Sequence, residues 1–289
     1  MSGLLGAIRE SVLIQAVMGD SLKSVQATSL AMAPVVEVFA SFQGEGSYVG
    51  SPQVFFRLAG CPLRCAWCDT PGSLQLTDGA TARLQSPHGT RRERAWVSPE
   101  QAAAWIQEID PTGRMTVSLT GGEPLLWTDF LLELRPLLGK RRLHLETAGA
   151  HPESLGRVLS ECDHVSADIK LPEDMLAPSA VGFEEVELSP RTGAEWREVR
   201  RSVLSLISGR DACAKLVVSG GRDESVYEEI LADHSECAPD LTLFLQPATP
   251  LATVSAPDRA TMEQLRNRAR AKGIETTVLG QLHRAWRLA

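Results

Sequence analysis

Six short runs rich in aliphatic and β-branched residues alternate with amphipathic helical segments along this chain, and that alternation narrows the fold more than any other feature. The runs are Val54 to Leu58, Met115 to Leu119, Leu143 to Thr147, His164 to Ile169, Lys215 to Val218 and Leu241 to Leu245. Helical spacing of apolar residues follows over Pro99 to Ile109, Phe130 to Leu138, Pro152 to Leu159, Ala194 to Ile207, Ser225 to His234 and Arg259 to Ala271. Ser98-Pro99-Glu100 reads as an N-cap with proline in the first helical turn. Such alternation specifies parallel strands with right-handed crossovers, either as an open doubly wound sheet or as a complete or partial β/α barrel. Polar and cysteine-bearing motifs follow strand after strand, as they do where active-site loops gather at the C-terminal ends of barrel strands. A partial (β/α)6 TIM-like barrel is therefore predicted, with an additional strand, Val35 to Ser41, before the set and another, Glu275 to Leu279, after it.

Residues 34–289 supply this domain. Residues 1–33 are expected to be a disordered or helical extension, or to lie upstream of a true start at Met32, and the polar stretch 71–97 is expected to be a long loop. The formal net charge of -7 argues against a nucleic-acid partner, because the basic run Arg91, Arg92, Arg94 is interrupted by Glu93. No apolar run is long enough to cross a bilayer, and the apolar stretch Val12 to Met18 lacks the basic leader of a secretory signal. A cytoplasmic location is expected. Cys162, Cys213 and Cys237 stand singly among apolar neighbours and read as small buried hydrophobes.

The other three cysteines are different. Cys61-Pro-Leu-Arg-Cys65-Ala-Trp-Cys68 places three thiols in one tight loop directly after a strand. Three cysteines satisfy three irons of a four-iron cubane and leave the fourth open to an exogenous ligand, whereas an electron-transfer cluster wants a fourth cysteine. A structural zinc site, with His88 as fourth ligand, is the competing reading. Thr120-Gly121-Gly122-Glu123-Pro124 follows the second strand of the set, where glycines admit close approach of a ligand and an acid can accept from an ammonium.

C-x3-C-x2-C with Trp67 before the last cysteine, together with Gly121 to Pro124, resembles the radical S-adenosylmethionine (SAM) superfamily. Within it, Glu37 to Gly46, Gly50-Ser-Pro52, Phe56-Arg57-Leu58 and Cys68-Asp69-Thr70 resemble the 7-carboxy-7-deazaguanine synthase family, densely from residue 35 to 70 and in short signatures afterwards. The resemblance implies a lyase of 7-deazapurine (queuosine) biosynthesis, which converts 6-carboxy-5,6,7,8-tetrahydropterin into 7-carboxy-7-deazaguanine with loss of ammonia. One electron from a [4Fe-4S] cluster cleaves SAM to a 5'-deoxyadenosyl radical that takes hydrogen from C6 of the pterin. A reductant such as flavodoxin or ferredoxin, Mg2+ and a homodimer are implied as well.

The same resemblance implies roles for residues. Cys61, Cys65 and Cys68 hold the cluster, and Thr70 is the magnesium position. Trp67, Cys68, Asp69, Gly121, Gly122, Glu123, Ser166, Asp168, Lys170, Gln246 and Pro247 line the SAM pocket, with Asp168 or Ser166 toward the ribose and Lys170 toward the SAM carboxylate. Phe42, Gln43, Gly44, Glu45, Arg57, Thr120, His283 and Ala289 meet the pterin. Arg57 suits the substrate carboxylate because its guanidinium can bind bidentately; a strand-end ion pair is its alternative use. Pro62 stands where the family commonly has asparagine, and Pro71-Gly72 where aromatic or basic residues are common, so the pocket beside the cluster departs from the family pattern. Two competing readings share the cysteine loop: against an activase of glycyl-radical enzymes stand Gln43 to Gly46, Arg57 and Cys68-Asp69-Thr70, and a non-catalytic iron-sulfur protein leaves Gly121 to Pro124 and the strand-end polar groups without a purpose.

Overall fold

The computed structural model describes residues 31–75, 79–176, 189–223, 225–251 and 254–285. Nearly all of the 1–33 extension therefore lies outside the described residues, as does Ala289. One sheet of eleven strands organises the described residues. Six parallel strands form its curved body: β2 (Pro52–Leu58), β6 (Thr116–Gly121), β7 (Leu143–Thr147), β8 (His164–Ile169), β9 (Ala212–Val218) and β10 (Leu243–Pro247). A short strand, β11 (Thr276–Val278), pairs parallel to β10 at one end. At the other end β1 (Ala33–Phe42) runs antiparallel to β2.

The helices decide between the two predicted architectures. They are α1 (Pro99–Ile109), α2 (Thr128–Leu137), α3 (Pro152–Val158), α4 (Gly193–Ile207), α5 (Ser225–Cys237) and α6 (Arg259–Ala271), and each packs against the next in chain order. A doubly wound sheet divides its helices between two faces, whereas successive contact around one face is the arrangement of a barrel. The expected partial barrel is what forms. α1 begins as its sequence specifies, with the Ser98 hydroxyl accepting from the Gln101 N–H at 3.3 Å and Pro99 in the first turn.

Strand parity sorts the side chains. On the helix-facing side Val54, Phe56, Leu58, Val117, Leu119, Leu143, Leu145, Val165, Ala167, Leu216 and Leu245 join one apolar core with the helices. The alternate positions, Gln53, Ser118, His144, Ser166, Lys215 and Gln246, are buried and polar. Because successive residues of a strand point to opposite faces, the second set fills the barrel interior.

Two expectations are corrected. The stretch 71–97 is not one long loop: Thr81–Ser86 (β3) and Gly89–Arg94 (β4) form an antiparallel hairpin, and Trp96–Val97 (β5) pairs with β1. Ala82 and Leu84, two apart and buried, give β3 one apolar side, a two-residue signal easily lost among polar neighbours. Cys213 is buried as expected, yet its surroundings are polar, with Ser166 Oγ at 3.3 Å and His164 Nε2 at 3.8 Å. Its position on β9 turns it into the barrel interior rather than toward the helices.

A buried ion pair ties the C-terminal end of α1 to the segment that leads into β7. Asp110 receives Arg141 Nη1 at 2.5 Å, the Thr112 hydroxyl at 2.5 Å and the Met115 N–H at 2.9 Å. Burial alone raises the carboxyl, but these donors outweigh it and hold it at about 2, against an ordinary 3.8. A carboxylate lowered in the folded state contributes stability that is present above its unfolded value and is lost as pH falls through the folded one. Urea midpoints should therefore drop between about pH 4 and pH 2, and Asp110→Asn should flatten that part of the profile while lowering stability at neutral pH.

Candidate active site

The loop after β2 is shaped by backbone contacts on both sides. Gly60, at φ 96°, donates to Ser73 O at 2.8 Å, and the Cys61 N–H donates to Leu74 O at 3.2 Å. Ala66 N–H donates to Asp174 O at 2.8 Å, Leu176 N–H to Arg64 O at 2.7 Å, and Arg64 Nη1 to Cys61 O and Leu63 O at 2.8 Å each. So pinned, Cys61, Cys65 and Cys68 all face one cleft of about 280 Å³ at the C-terminal ends of the strands.

Burial is the largest influence on the thiols: it pushes Cys61 upward and raises Cys65 to about 11. Cys61 and Cys65 are therefore poor thiolates by themselves, and a cationic iron centre would supply the missing charge. The Trp67 indole N–H is buried with no partner among the described residues. Both features fit a bound cluster with a ligand beside it. His88 sits in the β3–β4 turn, outside the wall of the cleft, and so completes no zinc site with the cysteines.

Gly121 and Gly122 are sealed against that loop. A Cβ on Gly121 would lie 2.1 Å from Leu58 O, and one on Gly122 2.1 Å from Gly60 O, while the Gly122 and Glu123 N–H groups donate to these same carbonyls at 3.0 and 2.7 Å. Both glycines reach the cleft wall. Glu123 does not: its carboxylate is fully buried and accepts from the Leu125 and Ala148 N–H groups and the Thr147 hydroxyl, at 2.7 to 3.0 Å. Burial dominates and raises it to about 7. Its oxygens thus hold the Gly-Gly turn and the end of β7, behind the cleft wall.

Ser166 and Pro247 are also absent from the cleft wall. Ser166 sits two positions before Asp168, deeper in the barrel, where its hydroxyl meets His144 Nε2 at 2.8 Å. Pro247 alternates with Gln246, so only the latter turns inward. The cleft does gather Trp67, Asp69, Thr70, Asp168, Lys170 and Gln246, together with Phe42, Gln43, Gly44, Glu45, Arg57, Thr120 and His283.

Charge alternates around this wall. Lys170 Nζ lies 2.5 Å from Asp168 and 4.2 Å from the centre of the Trp67 ring. Asp168 also meets Lys215 at 3.1 Å, and Lys215 meets Glu45 at 2.9 Å. Gln43 is turned into the site by its amide donating to Glu146 at 3.0 Å. Glu37 takes Arg57 Nε at 2.9 Å and Arg83 Nη2 at 2.6 Å, so the ion pair offered as an alternative for Arg57 exists; it fixes the guanidinium at the cleft wall without removing it.

The C-terminal segment closes one side. Gln281 donates to Glu45 at 2.9 Å and Asp69 at 3.0 Å, and the Leu282 N–H donates to Gly44 O at 3.1 Å. His283 packs so closely that a Cβ on Gly44 would lie 2.5 Å from its Nδ1 and 2.9 Å from its backbone nitrogen. Gly44→Ala should push this segment outward and raise the KM for the small-molecule substrate by about tenfold or more, with little loss of thermal stability. Steady-state kinetics beside a melting curve would check this, and an unchanged KM would show that the segment does not meet the substrate.

Lys215 and Gln281 are cleft residues that the motif reading did not assign. A lone lysine inside the otherwise apolar run Ala212–Val218 was the one available signal, since a charge there must be paired or functional.

A model of the radical SAM superfamily matches residues 57–187. The 7-carboxy-7-deazaguanine synthase of Methanothermobacter thermautotrophicus is 32% identical over 263 residues, which cover 89% of this chain and 98% of that protein. The enzyme of the same name from Geobacter sulfurreducens is 33% identical over 229 residues, covering 75% and 82%. Among solved structures, QueE from Escherichia coli superposes with a TM-score of 0.52 at 24% identity, covering 86% of this chain and 93% of that one. That last likeness bears on the fold. No helix among the described residues is long and apolar enough to cross a membrane.

Proposed function

This chain belongs to the 7-carboxy-7-deazaguanine synthase family of radical SAM enzymes, and from that membership we propose that it converts 6-carboxy-5,6,7,8-tetrahydropterin into 7-carboxy-7-deazaguanine with loss of ammonia. The observation that carries the reading is the meeting of two sets of groups in one cleft: the three-thiol loop with Gly121 and Gly122, and Arg57 with Gln43 to Glu45.

When bound, the reduced [4Fe-4S] cluster and SAM supply abstraction of hydrogen from C6 of the pterin. The protein positions the partners. Cys61, Cys65 and Cys68 hold the cluster. Backbone at Gly121 and Gly122 admits the amino-acid end of SAM, Lys170 takes its carboxylate, and Asp168 accepts from the ribose. Arg57, oriented by Glu37, takes the pterin carboxylate, and Glu45 and Gln43 read the amide and amine edge. Phe42, half exposed at the mouth, covers one side of the flat ring, and Thr120 and His283 complete the enclosure.

Thr70, next to Asp69 on the wall, is the proposed magnesium position, with substrate oxygens and water as the other ligands. A single hydroxyl binds magnesium weakly, so calorimetry without substrate should detect little affinity, and tight binding in the absence of pterin would remove Thr70 from this role. A flavodoxin- or ferredoxin-type reductant, a homodimer and a cytoplasmic location belong to the same reading.

The experiment is direct. Reconstituted enzyme incubated anaerobically with carboxytetrahydropterin, SAM, magnesium and dithionite should yield 7-carboxy-7-deazaguanine. Formation of 5'-deoxyadenosine with no such product would reject the substrate, and absence of both would reject the chemistry.

A further inference from the structure

Lys215 is the only lysine or arginine on the inward face of β9, and it is buried in the centre of the barrel mouth. Its Nζ lies 2.9 Å from Glu45 Oε2, in the segment after β1, and 3.1 Å from Asp168 Oδ1, at the end of β8. The opposite oxygen of each carboxylate has its own donors. Asp168 Oδ2 takes Lys170 at 2.5 Å, and Glu45 Oε1 takes Gln281 at 2.9 Å and Gln246 at 3.3 Å. Glu146 is a third acid whose charge acts on Lys215. The result is a continuous chain of contacts, Lys170 to Asp168 to Lys215 to Glu45 to Gln281, that crosses the cleft from the side assigned to SAM to the side assigned to the pterin.

We propose that Lys215 is a positioning residue that couples the two binding sites, its ammonium fixing at once the carboxylate that meets the pterin and the one that meets the ribose. This rests on the function proposed above. The physical basis is that a buried ammonium held between two partly buried carboxylates cannot move toward one without leaving the other. A ligand that settles Glu45 therefore settles Asp168 through the shared cation, and the converse holds with the same factor. Burial alone would lower the Lys215 ammonium, but Asp168, Glu45 and Glu146 together raise it well above its ordinary value, so it stays charged throughout. Lys170 cannot substitute: it reaches Asp168 and the Trp67 ring, and Glu45 is not among its partners.

The test measures binding. Equilibrium dialysis of SAM on reconstituted, unreduced enzyme, with and without saturating carboxytetrahydropterin, gives a ratio of dissociation constants. In the parent enzyme the ratio should fall in the usual range of about 5- to 150-fold. In Lys215→Met it should fall to about one, with pterin binding weakened, and Lys215→Arg should restore part of it. Adding Lys215→Met to a Glu45→Gln enzyme should then weaken pterin binding much less than it does in the parent, because the lysine acts through Glu45. Iron content and melting temperature report whether each variant folds and carries its cluster; if Lys215→Met does not, the comparison of Glu45→Gln with its parent still decides, since Glu45→Gln must then lower the ratio. A parent enzyme with a ratio of five or more, and variants that keep it, would overturn the coupling role alone. A parent that binds no pterin would overturn the proposed function and this inference with it.

Discussion

A Cys65→Ala enzyme is expected to lose SAM cleavage by more than about 100-fold, the effect that even an outer-shell change at a metal site can reach. The argument rests on ligand count. Three thiols face the cleft and no other cysteine does, so a cluster on this loop has no spare protein ligand. The fold itself should survive, because Cys65 contributes to the loop through its backbone, in an isolated bridge to Met175 and by accepting from the Cys68 N–H at 3.1 Å. The expected result is a protein of near-parental circular dichroism with depressed iron content and no 5'-deoxyadenosine. Cys162→Ala is the control: that thiol donates to Val158 O at 3.4 Å, outside the cleft, and its removal should leave iron content and turnover unchanged. If Cys65→Ala kept its iron and its 5'-deoxyadenosine, the assignment of the three-thiol loop would be wrong.

Gly122→Ala should be among the most damaging single-methyl changes in the site. The added Cβ would lie 2.1 Å from Gly60 O, 2.6 Å from Gly60 C and 2.8 Å from Ser73 O, all backbone atoms. None is the flexible end of a side chain that could swing aside. Gly60 itself is held by its bond to Ser73 O, and its carbonyl accepts from the Glu123 N–H at 2.7 Å, so relief requires separating the cluster loop from the turn after β6. A cost of about 3 kcal/mol or more is expected, at the upper end of overpacking effects, because rigid backbone meets rigid backbone. Urea unfolding of the apoprotein would read it, and iron retention after reconstitution should fall in parallel. Parental stability and full iron content in Gly122→Ala would show that the turn is looser than these contacts require.

Legibility varied with the range of the interaction. The helices were readable because each carries its own period and, in α1, its own cap at Ser98. The strand ends were less so: β9 begins at Ala212 rather than Lys215, and β10 runs to Pro247 rather than stopping at Leu245. Those shifts matter for the site, because they place Lys215 inside a strand and Gln246 at the rim. Glu123 shows a different limit. Its neighbours mark it as part of a ligand-binding motif, yet the Thr147 hydroxyl and the Ala148 N–H, supplied by the end of the next strand, occupy its carboxylate.

The sequence by itself determined the local parts: three thiols within eight residues, a Gly-Gly turn behind them, and strand periods that sort apolar from polar faces. Such features need only near neighbours and backbone geometry. Only the tertiary structure decided which charges meet. Lys215 and Glu45 are 170 residues apart, Gln281 and Glu45 236 apart, and they touch because parallel strands deliver their C-terminal ends to the same rim of a curved sheet. A buried charge must find a partner, but chain order does not say which; the closure of the barrel does.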